Sequence, residues 1–181
     1  FALFALLIYS LIVLKVANTE RSQKKPAKVK SFAEMMTTMK HMFKSPANIA
    51  IFAYSFFTWG IIMAFAGYWA KNYYITMHNY SQEFALSLPE IYWLSFLVSA
   101  LVIGSLVKSM RQAKKYIILL SILGIVAYSM MITPVLFSYS LLVLITILCG
   151  ISASGVILAF FIIQYLVTDE EKGLAISMNN L

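Results

Sequence analysis

Four long runs of residues with hardly a charge, separated by loops that are alternately rich and poor in Lys and Arg, constrain this chain more than anything else in it. A helix that crosses a bilayer needs about 20 mostly apolar residues. The runs span residues 46–75, 88–108, 115–133 and 137–167. The longest of them have the length to tilt or to project past the hydrocarbon. A further apolar run, 1–16, reads as the end of another span, and one more helix opens at Asp169. The chain starts inside an apolar run rather than at a Met, and it stops at Leu181 within a helical pattern, so both ends read as cuts. A signal peptide is a poor account of the first run, because no basic stretch precedes it and no small-residue cleavage site follows. Only 12% of the residues are charged, about half of what a soluble domain carries. The fold class that follows is an all-α membrane protein, a polytopic helical bundle.

The basic residues orient the bundle. Segment 15–44 holds eight, the turn 108–115 holds four, Lys172 stands near the last turn, and the two intervening loops hold only Lys71. Thirteen against one, alternating at every crossing, places the basic loops in the cytoplasm by the positive-inside rule. The net charge of +7 is concentrated beside a span, which suits lipid head groups and topology rather than nucleic acid. Within that segment, residues 17–30 are polar and basic and contain Pro26, the composition of a linker. From Phe32 to Phe43 the order changes: Phe32, Met35, Met36, Met39, Met42 and Phe43 form an apolar stripe with Glu34, Thr37, Thr38, Lys40 and Lys44 opposite. The spacing predicts an amphipathic helix over 32–43, lying on the membrane or under the bundle.

Capping chemistry marks three helix starts. Ser87-Leu88-Pro89-Glu90 and Thr168-Asp169-Glu170-Glu171 have the Ser/Thr-x-x-Glu form, in which side-chain oxygens satisfy free amides of the first turn. Ser45-Pro46 offers a cap followed by proline at the first helical position.

The sequence gives enzymatic chemistry no foothold. His41 and His78 fall on opposite sides of the membrane, so they cannot share a metal, and Cys149 has no intrachain partner. No metal site, cofactor motif, phosphate loop or nucleophile with a nearby base appears. Between their charged ends the spans hold no Asp, Glu, Lys, Arg or His, and such residues are the usual marks of ion and proton sites. Glu90 is the nearest coupling candidate, and its plainer reading is the capping box with Ser87. What remains is uncharged polarity at helical spacing: Tyr54, Thr58, Ser55 and Trp59 on one span, Tyr92, Ser95 and Ser99 on the next, Thr146, Gly150, Ser154 and Gln164 on the last. Such residues in lipid seek a helix partner or a water-filled cavity. Gly150-x-x-x-Ser154 alone is a small-x-x-x-small packing contact, yet the three faces together argue for a cavity.

Three stretches resemble one family. Trp59-Gly60 followed by Gly67-Tyr68-Trp69 and Tyr73 is similar to the aromatic outer half of the seventh helix of major facilitator superfamily (MFS) carriers. Residues 103–108, Ile-Gly-Ser-Leu-Val-Lys, continuing to Arg111, Lys114 and Lys115, resemble its eighth-to-ninth turn. Lys108 stands there in place of the family's Asp and Arg111 in place of its second Gly, so the charge relay of that turn is lacking. Gly150-Ile151-Ser152-Ala153-Ser154-Gly155 through Gly173-Leu174-Ala175 and Asn179 resembles the tenth helix and the opening of the eleventh.

The resemblance implies a partial MFS general-substrate-transporter fold, from the end of the sixth helix through the cytoplasmic link to the start of the eleventh. It implies a secondary transporter that moves a small polar solute by alternating access about a midplane site, proton-coupled, with no cofactor. Amino acids or small peptides are the favoured cargo. Its partners would be the solute, the lipid bilayer and the N-terminal half of the same carrier, with no nucleic acid. A bacterial inner membrane is the expected setting. Tyr54, Thr58, Trp59, Tyr92, Ser95, Ser99, Ser154 and Gln164 are the expected cavity-facing residues, and Glu90 the coupling candidate. The alternative is a non-transporting polytopic protein, a sensor or scaffold subunit whose helices only pack.

Overall fold

The computed structural model describes residues 31–133 and 137–180; the apolar run 1–16 and the linker 17–30 read from the sequence lie outside them. The chain divides into two units, Phe1–Met35 and Met36–Leu181. In the first, the described residues 31–35 open helix α1 (Phe32–Met42) with a reciprocal cap. The Ser31 amide donates to Glu34 Oε2 at 2.8 Å and the Glu34 amide donates to Ser31 Oγ at 3.3 Å, which satisfies two amides that the first turn leaves free.

Among its described residues the second unit consists of helices and their connecting turns, with four helices long and apolar enough to cross a membrane. The first span, Pro46–His78, has three parts: α2 (Pro46–Ile62), a π-helical stretch Met63–Trp69, and α3 (Ala70–His78). Ser45 stands at the expected cap position with Pro46 first in the helix, although its hydroxyl makes no capping bond. In the π stretch the Ala70 amide donates to the Phe65 carbonyl, five residues back. That wider turn costs helix geometry, and the sequence there is short of bulk: Ala64, Ala66 and Gly67. α3 ends on Asn79, whose φ of 53° is left-handed. The Asn79 amide and the Tyr80 amide both reach back to the Tyr74 carbonyl, a Schellman-like closure in which Asn takes the place usual for Gly.

The second span corrects a sequence reading. α4 runs Gln82–Leu106, six residues earlier than the expected 88, and its cap is Ser81, whose Oγ accepts from the Phe84 amide at 3.3 Å. Ser87 therefore lies inside the helix, where its hydroxyl donates to the Phe84 carbonyl at 2.8 Å. Pro89 sits in the third turn and withholds an amide proton from the Ala85 carbonyl. Both Ser81-x-x-Phe84 and Ser87-x-x-Glu90 offer a serine, and the earlier start brings Ala85 into the helix, where it is 0% exposed.

α5 (Met110–Ile132) starts earlier than the expected 115 because Ser109 and Gln112 cap it. Ser109 Oγ accepts from the Gln112 amide at 3.3 Å, while Gln112 Oε1 accepts from the Lys108 amide at 2.9 Å. The fourth span is two helices, α6 (Tyr139–Ala153) and α7 (Val156–Leu166), joined by a tight turn at Ser154 and Gly155. α8 runs Lys172–Asn179, starting three residues later than Asp169. The Glu171 carboxylate accepts from the Thr168 amide at 3.1 Å, the carboxylate half of the expected box.

α6 packs on α4 and α5, α7 on α2 and α5, α3 on α4, and α8 on α7 and α2, so the fourth span lies at the centre. Its neighbours close around Tyr74, Tyr92, Leu88, Leu142, Ile145 and Met131, each no more than 1% exposed. At the Asn79 end the Tyr73 hydroxyl donates to the Met131 carbonyl at 3.1 Å and the Tyr80 hydroxyl to the Phe137 carbonyl at 2.6 Å. Partial burial, with the Tyr139 phenol beside it, raises the Tyr80 pKa above the usual tyrosine value, so Tyr80 stays a donor across the neutral range. At the Pro46 end Asn48 Nδ2 donates to the Met42 carbonyl at 3.2 Å, tying α1 to α2.

Candidate functional site

Three spans bring hydroxyls to one cavity of about 360 Å³. α2 supplies Tyr54 and Thr58, α5 supplies Ser121, Tyr128 and Ser129, and α6 supplies Ser152, with Gly124, Ile125, Leu120 and Ala153 between them. A mostly apolar wall with a few convergent polar groups is the usual character of a small-molecule site.

The hydroxyls are held in place by their own helices. Ser121 Oγ donates to the Ile117 carbonyl at 2.8 Å and Ser152 Oγ to the Cys149 carbonyl at 2.7 Å. Such back-bonding occupies each serine's proton and leaves its lone pairs open. Tyr54's phenol oxygen lies against Gly155, where a Cβ would strike it. Tyr128 shares a hydrogen bond with Tyr92, oxygen to oxygen 2.8 Å. The cavity thus presents acceptors and two phenol rings, and none of its lining residues is Asp, Glu, Lys, Arg or His.

The structure separates the residues that the sequence placed on one cavity. Tyr54 and Thr58 line it. Tyr92 is 0% exposed and reaches it only through Tyr128. Trp59 turns toward α4, its ring 6.4 Å from Phe96, and its Nε1 is buried with no partner among the described residues. Ser95 and Ser99 lie on the other side of the fourth span, in an apolar crevice of about 520 Å³ between α4 and α6. Both bond back to their own helix, Ser95 to the Tyr92 carbonyl at 2.8 Å and Ser99 to the Ser95 carbonyl at 2.6 Å. Ser154 is 0% exposed and donates to the Ile151 carbonyl at 2.6 Å. Gln164 is exposed and donates to the Phe160 carbonyl at 3.0 Å. Glu90 is exposed and lines neither cavity.

Sequence reasoning passed over Ser121, Tyr128, Ser129 and Ser152. The signal for the first two was present: Ser121, Gly124 and Tyr128 stand at the i, i+3, i+7 spacing of one helix face, the same mark that singles out Tyr54 and Thr58. Among the described residues no group of three or more His, Cys, Asp or Glu is placed to hold a metal ion.

Set beside curated proteins and solved structures, the chain matches none of either. A family model described as Major Facilitator Superfamily matches residues 1–181, the whole chain. The bundle of apolar spans around a polar-lined cavity and this match agree, and the protein belongs to the Major Facilitator Superfamily of secondary transporters, an integral membrane family that works on small-molecule substrates.

Proposed function

We propose that this chain is the C-terminal half of a carrier that moves a small polar solute, an amino acid or small peptide, by alternating access against an N-terminal six-helix half. The observation that carries the reading is the convergence of Tyr54, Thr58, Ser121, Tyr128 and Ser152 on one cavity. Serines whose protons are spent on their own backbone accept from a ligand, so the wall suits amine and amide N–H donors. The cargo's carboxylate and the titrating group of proton coupling belong, on this reading, to the other half, because the lining residues here carry no charge. The basic segments 15–44 and 108–115 face the cytoplasm.

The test is counterflow with radiolabelled amino acids and dipeptides by the full carrier in proteoliposomes. Saturable exchange is expected, and Tyr54→Phe combined with Thr58→Val should raise the half-saturating concentration with insertion unchanged. If no solute of either class exchanges, or if the double variant matches wild type, the assignment of this cavity fails. Reporter fusions after Asn79 and after Gln112 test the orientation, since they should report opposite sides of the membrane.

A further inference from the structure

Three helix ends meet away from the hydroxyl-lined cavity. α7 packs on both α2 and α5, and where α2 begins, α5 begins and α7 ends, the three leave a groove of about 310 Å³ between them. Ala47 and Ala50 of α2 form one wall, Met110 and Ile117 of α5 another, and Ile162 and Leu166 of α7 close the third side. One charged residue lines the groove, Lys114 of α5. The 23 residues of α5 measure roughly 34 Å against about 30 Å of hydrocarbon. Its first turn therefore stands at a membrane surface, and Lys114 stands where acyl chains give way to head groups.

The protein supplies this charge with no counterion. Lys114, Arg111 and Lys115 are exposed and make no ion pair among the described residues. The acids nearest the groove in sequence follow Leu166, and two of them are engaged elsewhere: Asp169 pairs with Lys172 at 2.5 Å, and Glu171 accepts from the Thr168 amide at 3.1 Å. The third, Glu170, is exposed and makes no ion pair with Lys114. A lysine beside apolar walls lays its methylenes along them and carries its ammonium to the rim. The groove is thus complementary to an apolar chain that ends in an anion. A soluble anion gains nothing from the walls. A zwitterionic lipid also brings a phosphate, but its ammonium would stand in the field of the four basic residues within 108–115.

We propose that this groove binds an anionic phospholipid, with an acyl chain along Ala47, Ala50 and Ile117 and the phosphate against the Lys114 ammonium. Basic residues at a membrane surface attract anionic lipid in general. What makes this a site is the groove beside Lys114, of which its sequence neighbour Lys115 lines no part.

The test is native mass spectrometry of the full carrier in detergent, titrated with phosphatidylglycerol and with phosphatidylcholine of the same chains. Preferential retention of phosphatidylglycerol is expected. Lys114→Gln should lower that preference about fivefold, the weight of one basic residue at a lipid surface, and Lys114→Arg should keep it. Lys115→Gln should change it by less than about twofold, the ordinary range for a surface substitution. Equal losses at the two lysines would reduce the site to a general effect of charge and overturn the proposal. Ala50→Phe, which fills the groove without touching charge, should abolish retention while the melting temperature stays near that of wild type. Equal retention of the two lipids, or retention indifferent to Ala50→Phe, also overturns it. So does an Ala50→Cys carrier that, stripped of lipid, stays closed to a membrane-soluble maleimide, because another segment of the protein would then fill the groove. The readout is lipid rather than transport, so failure of the solute assignment leaves this test intact.

Discussion

The fourth span meets its neighbours in two different ways. On the α4 side the backbones touch: a Cβ at Gly150 would collide with Ser95 Oγ, and would stand 2.5 Å from the Tyr92 carbonyl oxygen and 3.1 Å from the Phe96 amide. On the side facing α2 and α5 the walls stand apart around the hydroxyl-lined cavity, and what a Cβ at Gly155 would meet first is the end of a side chain, the Tyr54 phenol, ahead of the Ser152 carbonyl oxygen and a Leu120 methyl. Both sides carry serines. On both sides the serine hydroxyls return their protons to their own helix; where backbones touch at Gly150 the small residues serve packing, the contact that holds helices together in lipid. Where they stand apart, the same chemistry is available to a ligand.

The comparison is most strongly broken at Gly150. Gly150→Val forces a branched side chain against backbone atoms that cannot step aside, and should destabilise the full carrier by about 3 kcal/mol, read as a lowered unfolding midpoint in detergent. A wild-type midpoint would mean that the α4–α6 seam is loose. Gly155→Ala asks the milder question, since the obstructing phenol is free to swing. A cost of about 1 kcal/mol is expected, and combining it with Tyr54→Phe should remove most of that cost, because the oxygen that clashes is gone. Additive effects in that cycle would show that Tyr54 does not lie over Gly155.

Tyr54→Phe alone leaves the fold intact and removes one hydrogen bond from the cavity, worth about 1 kcal/mol, or roughly a fivefold rise in the half-saturating solute concentration. Ser95→Ala and Ser99→Ala on the packed side should change transport by less than about twofold, the ordinary range for a group with no special role. A large effect there would move the solute to the α4–α6 crevice. The smallest effect is expected for Glu90→Gln. Glu90 is exposed and off both cavities, so proton-driven uptake and counterflow should both persist across pH. Loss of uptake with counterflow retained would make Glu90 the coupling acid.

Much of this architecture is legible in the sequence. Charge-free runs long enough to span a bilayer, the Ser45-Pro46 helix start and the Met stripe of α1 are local patterns, and a local pattern survives any arrangement of the helices. The start of α4 is ambiguous in the sequence because two serines six residues apart compete as caps, and the helix that begins at Ser81 buries Ala85. The candidate site was half legible. Tyr54 and Thr58 share a face by spacing alone, as do Ser121 and Tyr128, but spacing does not say which faces of different helices meet. Ser95 and Ser99 look no different from Ser121 and Ser152 in the sequence.

The sequence alone determined the class of the protein, because 61% hydrophobic residues arranged in four charge-poor runs have no stable home but a bilayer, and in a bilayer such runs must be helices to satisfy their own backbone. The tertiary structure alone decided which span is central. In the fourth span 61% of the most apolar stretch is buried inside the protein, against 17% in the second. Lipid tails and protein cores are equally apolar, so composition cannot distinguish a helix wrapped in lipid from one wrapped in helices. Close packing at Gly150, and its absence around Tyr54, made that distinction.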